Sequence, residues 1–135
     1  MRIEAHGLDD VDQALAAAVA QGVDAIYGLP ESTLIGGDPT PERIIDLLAG
    51  HRLPSASEEN DFASEGGLLS LGIDELAVYP GAAQYIQRIL QGAKIAELPV
   101  VRPSNFILAV NLKTAQQLGI TIPLSILLRA DEVIE

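Results

Sequence analysis

An α/β fold, with three layers built on a mainly parallel sheet, is the architecture this sequence predicts. Segments of strand period alternate with amphipathic helical segments, in the order β-α-β-α-β-β-α-β-β-α-α. Right-handed crossovers between such strands lay helices on both faces of the sheet. The 135 residues, 48% of them apolar, suit one domain spanning 1–135 with a core of its own.

The first strand is Arg2–His6, where Ile3 and Ala5 share one side and Gly7 breaks the alternation. Asp9 or Asp10 caps the following helix, because a carboxylate there accepts bonds from the orphan N–H groups. Val11, Leu15, Ala18 and Val19 fall on one face of it, and Gly22 closes it. Val23–Leu29 is mostly apolar and β-rich, as a strand covered on both faces must be. After the turn cluster Gly36-Gly37-Asp38-Pro39, Thr40 caps a second helix with Pro41 at its first position. Ile44, Ile45, Leu47 and Leu48 form its stripe, and Gly50 ends it. Leu53–Ser57 and Gly67–Leu71 are the next two strands.

Asp74 caps a longer helix reaching Gln91, with Gly92 at its end. Pro80-Gly81 lies inside this helix and is expected to kink or split it. Val100-Val101 and Phe106–Val110 read as extended segments. Asn111 caps a short helix that stops at Gly119, and Pro123 opens a last one running toward Ala130.

Composition narrows the function classes. Eight basic against 19 acidic residues leave a net charge of −11, which argues against nucleic acid or an anionic membrane as partner. With no cysteine there is no disulfide framework, thiolate metal site or cysteine nucleophile. No apolar run approaches the roughly 18 residues of a membrane span. Met1–Leu8 carries polar and charged residues, unlike a signal peptide.

The catalytic motifs are missing too. Gly36-Gly37 has no lysine behind it and Gly66-Gly67 follows Glu65, so neither forms a phosphate loop. The two histidines, His6 and His51, are far apart in sequence and suit structural or exposed roles. No G-x-S-x-G elbow is present. Glu58-Glu59 are adjacent, so on an extended segment they point opposite ways. The sequence therefore predicts no catalysis, no metal and no cofactor.

The remaining signal is positional. Ligands of open α/β sheets bind beyond the carboxyl ends of the strands. Those ends carry His6-Gly7, Pro30-Glu31-Ser32-Thr33, Glu58-Glu59-Asn60 and Gly72-Ile73-Asp74. Short hydrogen-bonding side chains are concentrated on this one rim, though such residues are also ordinary in loops and caps.

These segments also carry a family resemblance. Asp24-Ala25-Ile26-Tyr27, the run Glu65 to Asp74 (EGGLLSLGID) and Ile89 to Val100 (ILQGAKIAELPV, against a family text ILKGAKPADLPV) are similar to ABC-transporter solute-binding proteins. The tail is the most specific part: Val110 to Ala115 (VNLKTA), Leu118 to Pro123 (LGITIP) and Arg129 to Ile134 (RADEVI). The chain resembles the second lobe and C-terminal tail of the type I periplasmic-binding-protein fold, in the subgroup of tryptophan- and tyrosine-binding components. That resemblance implies a small amino-acid-like ligand, an aromatic amino acid being one candidate, with an ABC permease as partner and no catalysis. It implies a periplasmic location; a complete gene product beginning as this chain does would stay in the cytoplasm.

The resemblance also assigns a ligand site, Glu31, Ser32, Thr33, Glu59 and Asn60. The family's Thr-Asp-Asn-Thr motif falls on Pro30-Glu31-Ser32-Thr33, and its Gly-Glu motif on Glu58-Glu59. Glu58 thus stands where the family has a glycine, and the loop Leu34–Thr40 is about three residues longer than usual. Glu31 and Glu59 would meet a ligand ammonium; Ser32, Thr33 and Asn60 would supply neutral hydrogen bonds.

Family members are much longer and have a complete first lobe. In their fold the chain returns to that lobe after Gly72-Ile73-Asp74, so the helix from Glu75 to Gln91 would pack on a sheet absent here. Its apolar residues then need cover from a fold-back or from a second copy, and a homodimer is expected. Two alternatives to a transport role are a self-associating domain that has lost its ligand and an enzyme on a doubly wound sheet.

Overall fold

The computed structural model describes residues 8–28 and 41–135. The expected strand Arg2–His6, the cap at Thr40 and the rim segment Pro30–Thr33 lie outside the described residues. The first helix, α1, spans Leu8–Ala20, so Asp9 and Asp10 fall inside its first turn rather than before it. Strand β1, Ile26–Gly28, leads toward α2, Pro41–Gly50, which begins on the proline. The short strand β2, Ser55–Ser57, runs parallel to β1 with Ile26 beside Ser55. Strand β3, Leu69–Ile73, lies parallel to β2.

Val11 and Leu15 of α1 meet Leu48 of α2 and Leu53, with Ile26, Ile44, Leu47 and Phe62 packed around them. Each of these buried aliphatic side chains contributes about 1.5–3 kcal/mol. This is the core beneath the parallel strands.

The sheet then changes direction. Strand β4, Phe106–Asn111, pairs antiparallel with β3, from Leu69 opposite Val110 to Ile73 opposite Phe106. After α4, Leu112–Leu118, and α5, Leu124–Leu127, the chain adds β5, Glu132–Ile134, parallel to β4. The described strands thus form one mostly parallel, five-stranded sheet in the order β1-β2-β3-β4-β5. Strand β5 was not expected from the sequence, which placed a helix reaching Ala130.

The antiparallel step decides the fate of the longest helix. A parallel neighbour needs a crossover laid across the sheet, whereas an antiparallel neighbour does not. Helix α3, Glu75–Leu90, joins β3 to β4 without being pressed on the strands, and none of its residues is buried. It continues unbroken through Pro80, so the expected split does not occur. The expected extended segment at Val100-Val101 forms no strand; both side chains are exposed. The Tyr85 hydroxyl donates to the Pro99 carbonyl and ties this stretch to α3.

Four helices end in the same way. Past α1, α3 and α4, left-handed Gly22, Gly92 and Gly119 let Val23, Ala93 and Ile120 donate back to Ala18, Arg88 and Ala115. After α2 the left-handed residue is Arg52 (φ 54°), not Gly50, and Leu53 donates to Leu48. No helix among the described residues is long and apolar enough to cross a membrane.

Candidate functional site

The carboxyl ends of β2 and β3 open into one cavity. Because β4 runs antiparallel, its first residues lie at the same edge. The cavity, about 640 Å3, is lined by Glu58, Glu59, Asn60 and Asp61 after β2, and by Asp74, Glu75 and Leu76 after β3. Leu71 and Ile73 of β3 and Phe106 and Ile107 of β4 supply apolar lining. The strand pleat explains the division. Ser70 and Gly72 are buried while Leu71 and Ile73 are exposed, so β3 offers its apolar side chains to the open face.

The loop after β2 is held from beneath. The Glu59 amide donates to the Ser57 hydroxyl at 3.2 Å, and the Ser70 hydroxyl donates to the Asn60 carbonyl at 3.1 Å. The Asn60 side chain donates through Nδ2 to the Ile73 carbonyl at 3.0 Å. Its Oδ1 is shielded from solvent and has no hydrogen-bond partner among the described residues. Gly72 makes this seat possible, since a Cβ there would lie 2.0 Å from that oxygen.

Of the five site residues expected from the sequence, Glu59 and Asn60 therefore come together on the rim. Glu59 is exposed, whereas the amide of Asn60 is engaged by the sheet. Glu31, Ser32 and Thr33 lie outside the described residues. The apolar floor was missed, because a search for polar groups at strand ends passes over Leu71, Ile73 and Phe106. Their exposure at alternate strand positions is the signal that marks them.

The electrostatics are one-sided. Five carboxylates, Glu58, Glu59, Asp61, Asp74 and Glu75, line the cavity without a basic side chain among the described lining. Asp74 is partly committed, accepting from the Ala77 amide at 3.1 Å as the cap of α3. Nearby Glu65 has its pKa pushed above the ordinary carboxylate range, by desolvation first and then by repulsion from Asp61, Glu42 and Glu59. A raised folded-state pKa means that stability grows as pH falls through it. Glu65→Gln is expected to raise Tm slightly at neutral pH, and the gain should vanish below the ordinary glutamate range. Thermal melts of both proteins across pH check this; a gain that persists in acid would refute the repulsion.

His51 is not at the rim. Its Nε2 lies 3.0 Å from Asp12 Oδ1 and joins the end of α2 to α1. No group of three or more His, Asp or Glu among the described residues is arranged to hold a metal ion.

Comparisons with known proteins agree with this architecture. A family model described as ABC transporter substrate binding protein matches residues 2–134. A conserved domain protein from Vibrio cholerae O1 biovar El Tor is similar, with TM-score 0.77, 29% identity, and coverage of 96% of this chain and 42% of that one. An ABC domain from Streptococcus pneumonia in complex with L-Trp gives TM-score 0.75 and 30% identity, covering 95% of this chain and 42% of that one. A ligand-free, open substrate-binding protein with adhesive properties from Clostridium difficile shares the fold at TM-score 0.64 and 18% identity, over 86% and 38% of the two chains. The chain thus spans about two-fifths of the length of these structures. No curated protein sequence matches it. The chain belongs to the ABC transporter substrate-binding protein family.

Proposed function

We propose that the chain is the second lobe of a solute receptor, binding a small amino-acid-like ligand for an ABC importer without catalysing a reaction on it. One observation carries this reading: a cavity at the strand carboxyl ends that sets carboxylates around an apolar floor. A ligand ammonium suits Glu59, and the family resemblance adds Glu31 as a second carboxylate, with Ser32 and Thr33 giving neutral hydrogen bonds. An aromatic side chain suits Leu71, Ile73 and Phe106. The 30%-identical neighbour in complex with L-Trp supports the same ligand class. Asn60 serves by holding the loop to β3. The partner on this reading is an ABC permease, and the place of work is the periplasm or its equivalent.

A half-site open to water binds weakly, because each polar contact competes with solvent. Titration calorimetry with L-tryptophan and L-tyrosine is expected to give dissociation constants of about a millimolar, near −4 kcal/mol. Glu59→Gln should weaken binding roughly fivefold, the loss of about 1 kcal/mol from one exposed charge-assisted bond. Absence of any heat or thermal stabilisation with these amino acids would refute the ligand class.

A further inference from the structure

A ligand carboxylate is held by a basic side chain or by the open amides of a helix N-terminus. Among the described residues the acidic cavity offers neither. Its lining holds Glu58, Glu59, Asp61, Asp74 and Glu75 and no lysine or arginine. Arg102 lines the neighbouring cleft, which shares Asp74 with the cavity, but not the cavity itself. The expected rim segment Pro30–Thr33 adds Glu31 and no basic residue to the sequence. Helix α3 begins at the cavity, but carboxylates of the chain already serve that end. Asp74 accepts from the Ala77 amide at 3.1 Å, and Glu75 follows in the first turn. Other donors around the rim are engaged inside the fold. The Glu59 amide goes to the Ser57 hydroxyl, the Asp74 amide to the Asn105 carbonyl at 3.0 Å, and the Asn60 side-chain amide to the Ile73 carbonyl.

We propose that this wall selects its ligand by charge, and that the class it prefers is an arylalkylamine: an ammonium on an apolar ring-bearing body, with no carboxylate. An amino-acid zwitterion ranks below it. The inference rests on the reading of this cavity as the ligand site. In both ligands the ammonium meets Glu59 and the ring lies on Leu71, Ile73 and Phe106. The remaining carboxylates tell the two apart. In a zwitterion, their pull on the ammonium is offset by their push on the carboxylate two bonds away. A bare amine feels the pull alone. One carboxylate about 7 Å from a unit charge in a water-like medium shifts affinity roughly two- to threefold. Glu58 and Glu75, on opposite sides of the cavity mouth in sequence, after β2 and after β3, thus determine specificity, while Glu59 binds the group that both ligands share.

Three compounds share one ring and differ in charge: tryptamine lacks the carboxylate of L-tryptophan, and indole-3-propionate lacks its ammonium. Calorimetry at neutral pH and about 20 mM salt should rank tryptamine about tenfold tighter than L-tryptophan, with indole-3-propionate weakest. The preference for tryptamine should shrink to about threefold or less at about 0.5 M salt, where screening shortens the reach of the carboxylates. E58Q and E75Q should each weaken tryptamine roughly two- to threefold and leave L-tryptophan unchanged, whereas E59Q should weaken both. A merely structural role for Glu58 or Glu75 would weaken both ligands alike. The chain carries −11 as a whole, so E135Q is the control. Ile134 stands beside Asn111, at the end of β4 opposite Phe106, which puts Glu135 across the sheet from the cavity. E135Q should leave the ranking and the affinities as they are. Tryptamine no tighter than L-tryptophan, or indole-3-propionate as tight as L-tryptophan, would overturn the charge selection and leave the ligand site standing. A loss with E135Q equal to that with E58Q would overturn it too, because the attraction would then belong to the acidic chain at large. If none of the three compounds binds, the ligand site itself is refuted and the inference with it.

Discussion

Gly72→Ala is expected to cost about 2–4 kcal/mol of stability, the sum of an overpacked contact and a lost side-chain hydrogen bond. The added Cβ would lie 2.0 Å from Asn60 Oδ1 and 2.5 Å from the Glu58 carbonyl oxygen. The Asn60 side chain can rotate away only by giving up its bond to the Ile73 carbonyl. The Glu58 oxygen is backbone, so the loop itself has to move. That loop carries Glu58 and Glu59 to the cavity, and any residual ligand binding should be lost with it. Urea unfolding should show a lower midpoint with an unchanged slope. Adding Asn60→Ala removes one clash but not the other, so the double variant should be less destabilised than the sum of the singles. A Gly72→Ala protein within 0.5 kcal/mol of the parent would show that the loop does not rest on β3 as described.

Much of the fold is legible in local chemistry. Asp74 and Asn111 were read as caps, and each accepts from the amide three residues on. Gly22, Gly92 and Gly119 were read as helix ends and are left-handed. These signals are local, so sequence carries them. The misreadings are tertiary. The sequence predicts a strand from Gly67, whereas β3 begins at Leu69 and Gly67 instead lies against the Phe62 ring, where a Cβ would be 2.2 Å from it. The segment Glu132–Ile134 is a strand because β4 offers it a partner, a fact stored some twenty residues away. Val100-Val101 has the composition of a strand but no such partner.

The site divides along the same line. That Glu59 and Asn60 stand on the rim follows from the rule that loops after parallel strands gather at one edge. Which way an amide points depends on the neighbouring strand, and here Ile73 and Gly72 turn Asn60 inward. The apolar face of α3 was equally legible as a pattern. That the face stays uncovered among the described residues goes with the antiparallel step from β3 to β4, which needs no crossover laid on the sheet.

Asn111→Ala and Asn111→Asp should separate by pH. Asn111 ends β4, is 4% exposed, and joins three elements. Its Nδ2 donates to the buried Ala63 carbonyl at 2.8 Å, and its Oδ1 accepts from the Thr114 amide at 3.0 Å as the cap of α4. Next to it the Thr114 hydroxyl donates to the Gly66 carbonyl at 2.8 Å, so α4 and the loop below β3 are stitched at two points. Alanine leaves a buried acceptor unpaired and a helix uncapped, together about 2–4 kcal/mol. Aspartate keeps the cap but turns the donor into a carboxylate oxygen facing the Ala63 carbonyl. Burial and that repulsion raise its folded-state pKa above the unfolded value, so protonation favours the fold. Once protonated, the acid donates to Ala63 as the amide did. The aspartate variant should therefore be as damaged as the alanine variant at pH 7 and recover as pH falls toward 4, while the alanine variant's deficit stays constant. Melting both variants and the parent across that range decides the matter. Parent-like stability of Asn111→Asp at pH 7 would mean that the bond to Ala63 contributes nothing.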